Sequence, residues 1–169
     1  FEYIGSEVEQ VFRWRLGDGL TVNYKQIIDR IDRVDGTLRI VDYKTGSDKT
    51  SVSNFENIFA GKSEGHLKAV MQIMLYCNAY SAVEGFDGDI MPVIYSIRNV
   101  RTMDENERFC IKYNKQPVLS YRNGTFKDEF MSRFCGIVED ILNPDIPFRQ
   151  TCQQSKCAYC PFAEACNRG

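Results

Sequence analysis

Apolar and polar residues alternate with a period near two from Glu2 to Leu16. Val8, Phe12, Trp14 and Leu16 fall on one side and Glu7, Glu9, Arg13 and Arg15 on the other. That pattern predicts a half-buried antiparallel strand. Gly17, Asp18 and Gly19 predict a turn, Thr21 to Val34 a second strand and Leu38 to Lys44 a third, so three strands with short connections form a meander. Between the last two, Asp35-Gly36 is a strong hairpin signal, because Gly takes positive φ without steric cost.

The period then changes. Thr45 to Ser63 is rich in Gly, Ser, Lys and Asn and predicts a loop, with an apolar island at Phe55, Ile58 and Phe59 long enough for one or two helical turns. From Glu64 to Val83, Leu67, Val70, Met71, Met74, Leu75 and Ala79 recur at spacings of three and four, which predicts an amphipathic helix closed by Gly85. Asp89 to Val100 and Phe109 to Tyr113 read as strands. Thr125 and Asp128 resemble a capping box that opens a helix to Leu142, with Phe126, Phe130, Phe134, Ile137, Val138 and Ile141 facing inward. Asn143-Pro144 stops it. There is no internal repeat.

Composition narrows the class. At 169 residues, 43% hydrophobic and 26% charged, the chain can bury the core of one domain. No apolar run reaches the roughly 20 residues of a membrane span, and no leader pattern opens the chain, so the expectation is a soluble, cytoplasmic protein without a membrane partner. The chain opens on Phe1, in mid-pattern, which reads as a piece excised from a longer polypeptide. A net charge of -2 argues against a broad basic surface for nucleic acid, though not against a local basic groove.

The chemistry concentrates at the hairpin. Its pairing would bring Asp29 and Asp42 together, and Asp42 and Lys44, two apart on one strand, share a face. Two carboxylates with the backbone carbonyl of Tyr43 can hold Mg²⁺ or Mn²⁺ while a phosphate completes the shell. Lys44 could orient or deprotonate an attacking water, or stabilise the developing charge. These residues suit metal-assisted phosphodiester cleavage. Ordinary polar positions on an exposed strand are the competing reading.

The motif Ile28-Asp29-Arg30-Ile31-Asp32, followed by Ile40-Val41-Asp42-Tyr43-Lys44-Thr45-Gly46, resembles the nuclease domain of the RecB/AddB family, within the PD-(D/E)xK superfamily. A helical Gln72 followed four residues later by Tyr76 resembles that family's next motif, and the likeness extends from Thr21 to Cys166. It implies an α/β fold: a restriction-endonuclease-like core with a mixed central sheet flanked by helices and a C-terminal cysteine-rich tail. Residues 1–148 would form the core and 149–169 the tail. It also implies Asp29 and Asp42 as metal ligands, Lys44 as catalytic lysine, and Gln72 and Tyr76 bracing the site or touching DNA. The implied activity is that of a DNA exonuclease joined to a helicase domain or subunit in double-strand break repair. Two features depart from the family. Gln26 stands where a Gly is common, and the family's further active-site residue, commonly His, lies on a helix upstream of these strands, which an excised piece opening on Phe1 would lack. Glu7 is a substitute for that residue to be tested, whereas His66, the only histidine, is assigned no catalytic role.

Four of the seven cysteines, Cys152, Cys157, Cys160 and Cys166, crowd the tail. In a reducing compartment such a set is suited to an iron-sulfur cluster or to zinc, whereas Cys77, Cys110 and Cys135 lie in apolar segments and read as buried thiols. The spacing of Cys157, Cys160 and Cys166 resembles the iron-sulfur staple of AddB-type nucleases, a 4Fe-4S site whose fourth ligand lies upstream of the nuclease strands. Either Cys152 or a residue before Phe1 would be the fourth ligand here. A non-catalytic DNA-binding scaffold held by the staple is one alternative function, and a stand-alone nuclease of the CRISPR-adaptation type is another. No phosphate-binding loop is present, so any motor lies elsewhere.

Overall fold

The computed structural model describes residues 1–46, 48–59, 67–99 and 111–168. Its central feature is a four-stranded sheet in the order β1-β2-β3-β5, formed by β1 (Glu2–Arg15), β2 (Thr21–Val34), β3 (Thr37–Lys44) and β5 (Ile90–Ser96). The first three strands are the antiparallel meander expected from the alternation, and β5 runs parallel to β3. A mixed sheet results. The β2-β3 turn closes at Val34↔Thr37, with Asp35 at φ 50° and Gly36 at φ 83°, the two positive angles a two-residue type I′ turn demands.

A parallel return needs a crossover, and α2 (Lys68–Glu84) supplies it, packing on β1, β3 and β5. It ends where Gly85 takes a left-handed conformation and donates its N–H to the Ser81 carbonyl. Sequence periodicity predicts one apolar face, but the helix is buried on more sides, with Ala69, Ile73, Tyr76 and Cys77 also enclosed. The extra cover comes from a small three-stranded sheet, β4 (Ser51–Val52), β6 (Lys112–Tyr113) and β7 (Gln116–Pro117), from α1 (Glu56–Phe59), and from the start of α3 (Phe126–Leu142). Phe55, Tyr113 and Phe126 meet with ring centroids 4.9 to 5.3 Å apart, and the Tyr121 hydroxyl donates to Asn78 at 2.6 Å.

Several expectations are adjusted. Strand β5 stops at Ser96, and Ile97, a predicted strand residue, lies half-exposed in a 3-10 turn, Ile97–Asn99. Ile111 is buried ahead of the two-residue strand β6 rather than within a longer one. On α3, Phe126 and Phe130 are buried as predicted, but Ile141 is exposed. The predictions for His66, Cys110, the first residues of the Glu64 helix and the start of the Phe109 strand fall outside the described residues. Two compact units, Phe1–Cys135 and Gly136–Gly169, divide the chain, and the sheet lies wholly in the first. No helix among the described residues is long and apolar enough to cross a membrane.

Candidate active site

The β2-β3 ladder stops at Arg30↔Val41, and one further step in the same register sets Asp29 opposite Asp42. There the strands no longer pair backbone to backbone. Instead the N–H of Tyr43 donates to the Asp29 carboxylate at 2.8 Å. Asp42 and Lys44 share a strand face, as alternation requires, and the Lys44 ammonium lies 3.1 Å from Oδ1 and 2.8 Å from Oδ2 of Asp42. The same ammonium donates to Gln72 Oε1 on α2 at 2.9 Å, and Gln72 Nε2 donates to the Tyr76 hydroxyl at 2.6 Å. Asp42, Lys44, Gln72 and Tyr76 thus form one unbroken polar line from strand to helix. The helix contributes because residues four apart lie one above the other on its surface.

The surroundings tune these groups. Asp42 is only 2% exposed. Burial pushes its carboxyl pKa up, Lys44 works the other way, and the charges of Asp29 and Asp48 add a further rise. Burial also raises the pKa of Tyr76, opposed by the Gln72 hydrogen bond and reinforced by Asp42 and Asp29. The phenol therefore keeps its proton, and since its oxygen already accepts from Gln72, that proton is free to be donated.

A family description, the PD-(D/E)XK nuclease superfamily, matches residues 1–167. The chain belongs to this superfamily. No curated protein matches the sequence. Membership in the PD-(D/E)XK superfamily implies a metal-dependent nuclease, and the α/β architecture with its mixed sheet flanked by helices is the restriction-endonuclease-like fold.

The PD-(D/E)XK site fits a divalent ion by one specific observation. Asp42 Oδ2 is buried and, although close to Lys44, has no hydrogen bond of acceptable geometry among the described residues. A buried carboxylate oxygen with an open lone pair is costly unless a cation completes it. Asp29 and Asp42 are hard oxygen donors of the kind Mg²⁺ and Mn²⁺ prefer. Tyr43 stands between Asp42 and Lys44, so its carbonyl belongs to the same strand end. Glu7 falls between the pairs Ser6↔Arg30 and Val8↔Ile28, opposite Asp29 in register, with a left-handed φ of 50°.

The tail carries the four crowded cysteines. Among the described residues no group of three or more His, Cys, Asp or Glu side chains is arranged to hold a metal ion, so Cys152, Cys157, Cys160 and Cys166 do not converge as a cluster. Cys157 and Cys166 each lie on a short 3-10 turn held by backbone hydrogen bonds, and Arg168 donates to the Thr151 carbonyl across the base of the loop. Thiols gain nothing from approaching one another until a metal bonds them, so such sites assemble with the ion.

Three features escape sequence reasoning. On the sheet face away from the Asp42-Lys44 line, Asp32 is fully buried between the guanidiniums of Arg30 and Arg39. Its signal was a carboxylate and two arginines inside apolar strands, where charges survive only in pairs. Gln26 does more than replace a Gly: it is buried, donating to Gln10 Oε1 at 2.8 Å and to the backbone carbonyl of Tyr76 at 3.4 Å. Ser96, the register partner of Lys44, keeps a buried hydroxyl without a partner among the described residues. Neither of these last two carries a signal in a single sequence.

Proposed function

We propose that this PD-(D/E)XK domain is a DNA exonuclease that works within an ATP-dependent helicase-nuclease in the processing of double-strand breaks in the cytoplasm. The observation that supports it most is the polar line of Asp42, Lys44, Gln72 and Tyr76, with Asp29 held opposite by Tyr43. Asp29, Asp42 and the Tyr43 carbonyl would hold Mg²⁺ or Mn²⁺, which when bound lowers the pKa of water and offsets charge on the scissile phosphate.

The chain's own residues do the rest. Lys44 has three N–H donors, of which Asp42 and Gln72 engage two, so the third can meet a phosphate oxygen. Gln72 fixes the ammonium and orients Tyr76, whose phenolic proton offers a second donor. Hydrolysis forms one water-oxygen bond to phosphorus and breaks one ester bond. The modest negative charge fits a domain to which a helicase partner delivers DNA. Residues 1–148 would carry this core and 149–169 a tail in which Cys157, Cys160 and Cys166, with Cys152 or a residue upstream of Phe1, bind a 4Fe-4S cluster or zinc.

Cleavage of end-labelled DNA by the longest natural chain, in Mg²⁺ or Mn²⁺, tests the proposal. Lys44→Ala and Asp42→Ala should each lower the rate at least a hundredfold, in line with loss of a preorganised charge-stabilising group. Unchanged cleavage would refute the assignment. Metal analysis and visible absorption of anaerobically purified protein decide between iron-sulfur, zinc and an unloaded tail.

A further inference from the structure

At the active-site end, β3 is held by β5 through Tyr43↔Tyr95 and Lys44↔Ser96, while β2 is held by β1 through Ser6↔Arg30 and Val8↔Ile28. Between β2 and β3 the backbone ladder has already ended, at Arg30↔Val41. Asp29 and Asp42 therefore belong to two strands whose separation no backbone pair fixes where the metal would sit.

A side-chain link crosses that gap on the opposite sheet face. Arg30 Nη1 donates to the Tyr43 hydroxyl at 2.7 Å, a diagonal cross-strand pair that reaches two residues past Val41, the last bridged position of β3. The rest of the Arg30 fork is locked on Asp32, with Nε at 2.7 Å and Nη2 at 2.6 Å from Oδ2. Asp32 is itself pinned by its register partner Arg39, through Nε to Oδ1 at 2.6 Å and Nη2 to Oδ2 at 2.9 Å. The Arg30 guanidinium also lies 5.8 Å from the Tyr43 ring centroid and 5.7 Å from that of Phe1, within cation-π range. Tyr43 is thus engaged at both ends: its hydroxyl by Arg30 and its N–H by the Asp29 carboxylate.

We propose that Arg30 and Tyr43, anchored on Asp32 and Arg39, form a clamp that positions the metal site by setting the distance between Asp29 and Asp42 where the ladder stops. The inference rests on the nuclease reading, since it gives the clamp a metal to serve. The side chains of the clamp touch neither metal nor substrate. It acts through Tyr43, whose backbone N–H orients the Asp29 carboxylate. Its planar, bidentate geometry requires arginine: a lysine at position 30 keeps the charge but loses the fork that joins Asp32 to Tyr43.

Tyr43→Phe removes only the hydroxyl and retains the ring, so it leaves the fold in place; Arg30→Lys is the second variant. Calorimetric titration with Mn²⁺ alone reads the effect without any cleavage assay. Both variants should bind Mn²⁺ about tenfold or more weakly, the usual cost of losing an outer-shell partner. The double variant should lose no more than the larger single loss, because both break one link. Cleavage by Arg30→Lys should return to the wild-type rate at saturating Mn²⁺. Wild-type affinity in Tyr43→Phe overturns the clamp, whether or not its melting temperature falls. A rate that saturating Mn²⁺ does not restore also overturns it, by putting Arg30 in contact with substrate. If the wild-type chain binds no Mn²⁺ at all, the nuclease reading itself has failed.

Discussion

Replacing Asp32 with Ala isolates the ion network of the sheet's second face. The carboxylate is 0% exposed and receives two N–H groups from each of two guanidiniums, at 2.6 to 2.9 Å. Removing one member of a buried pair costs about 3 to 5 kcal/mol, because the remaining charge is left without a counter-ion. The Arg30 and Arg39 side chains are 28% and 17% exposed, so water recovers part of that, and about 2 to 3 kcal/mol is expected. For a chain of this size each kcal/mol moves the melting temperature by roughly 2 to 4 °C, giving a fall of about 4 to 12 °C.

The same reasoning sets the pH dependence. Burial alone would raise the Asp32 pKa, but Arg39 and Arg30 override it and hold the carboxyl below its ordinary value. A depressed folded-state pKa gives stability that is complete above the unfolded pKa of about 4 and is lost as pH falls through the folded value. The gap between wild type and Asp32→Ala should therefore be full at pH 7 and narrow below about pH 4. Urea unfolding followed by circular dichroism at a series of pH values reads both. A loss under about 1 kcal/mol at neutral pH, or a gap that widens in acid, refutes the ion network as a stabilising element.

Other substitutions probe other links. Ser96→Ala removes a buried hydroxyl with no partner among the described residues, so thermal unfolding should show an unchanged or slightly higher melting temperature; a marked fall would mean that the hydroxyl is engaged. Gly85→Ala forces a Cβ into φ 60° with no neighbour within 4 Å, so backbone strain alone should cost about 1 kcal/mol by denaturant titration. Phe130→Ala empties a fully buried site beside Phe59 and Phe134 and should cost about 3 to 5 kcal/mol, read as a lower urea midpoint.

Much of the fold was legible in the chain because its cues are local. Alternation, an Asp-Gly turn and a helix ending at Gly85 depend on neighbours within a few residues, and β1 to β3, α2 and α3 formed where those cues placed them. Strands β4 and β7 are two residues each and exist only through pairing with β6, the end of the predicted Phe109 to Tyr113 strand, so no periodicity could announce them. Their cover explains why α2 is buried beyond its apolar stripe.

The hairpin carried the types and spacing of Asp29, Asp42 and Lys44, because strand alternation alone puts Asp42 and Lys44 on one face. Tertiary structure decided the rest. Packing of α2 on the sheet brought Gln72 to Lys44 from 28 residues away, and the end of the β2-β3 ladder turned Tyr43 from a spacer into a bridge between Asp29 and Arg30. A sequence records which groups are present at each step along the chain. Where a backbone ladder stops, and which side chain spans the gap, depends on the twist and packing of strands brought together only in the folded chain.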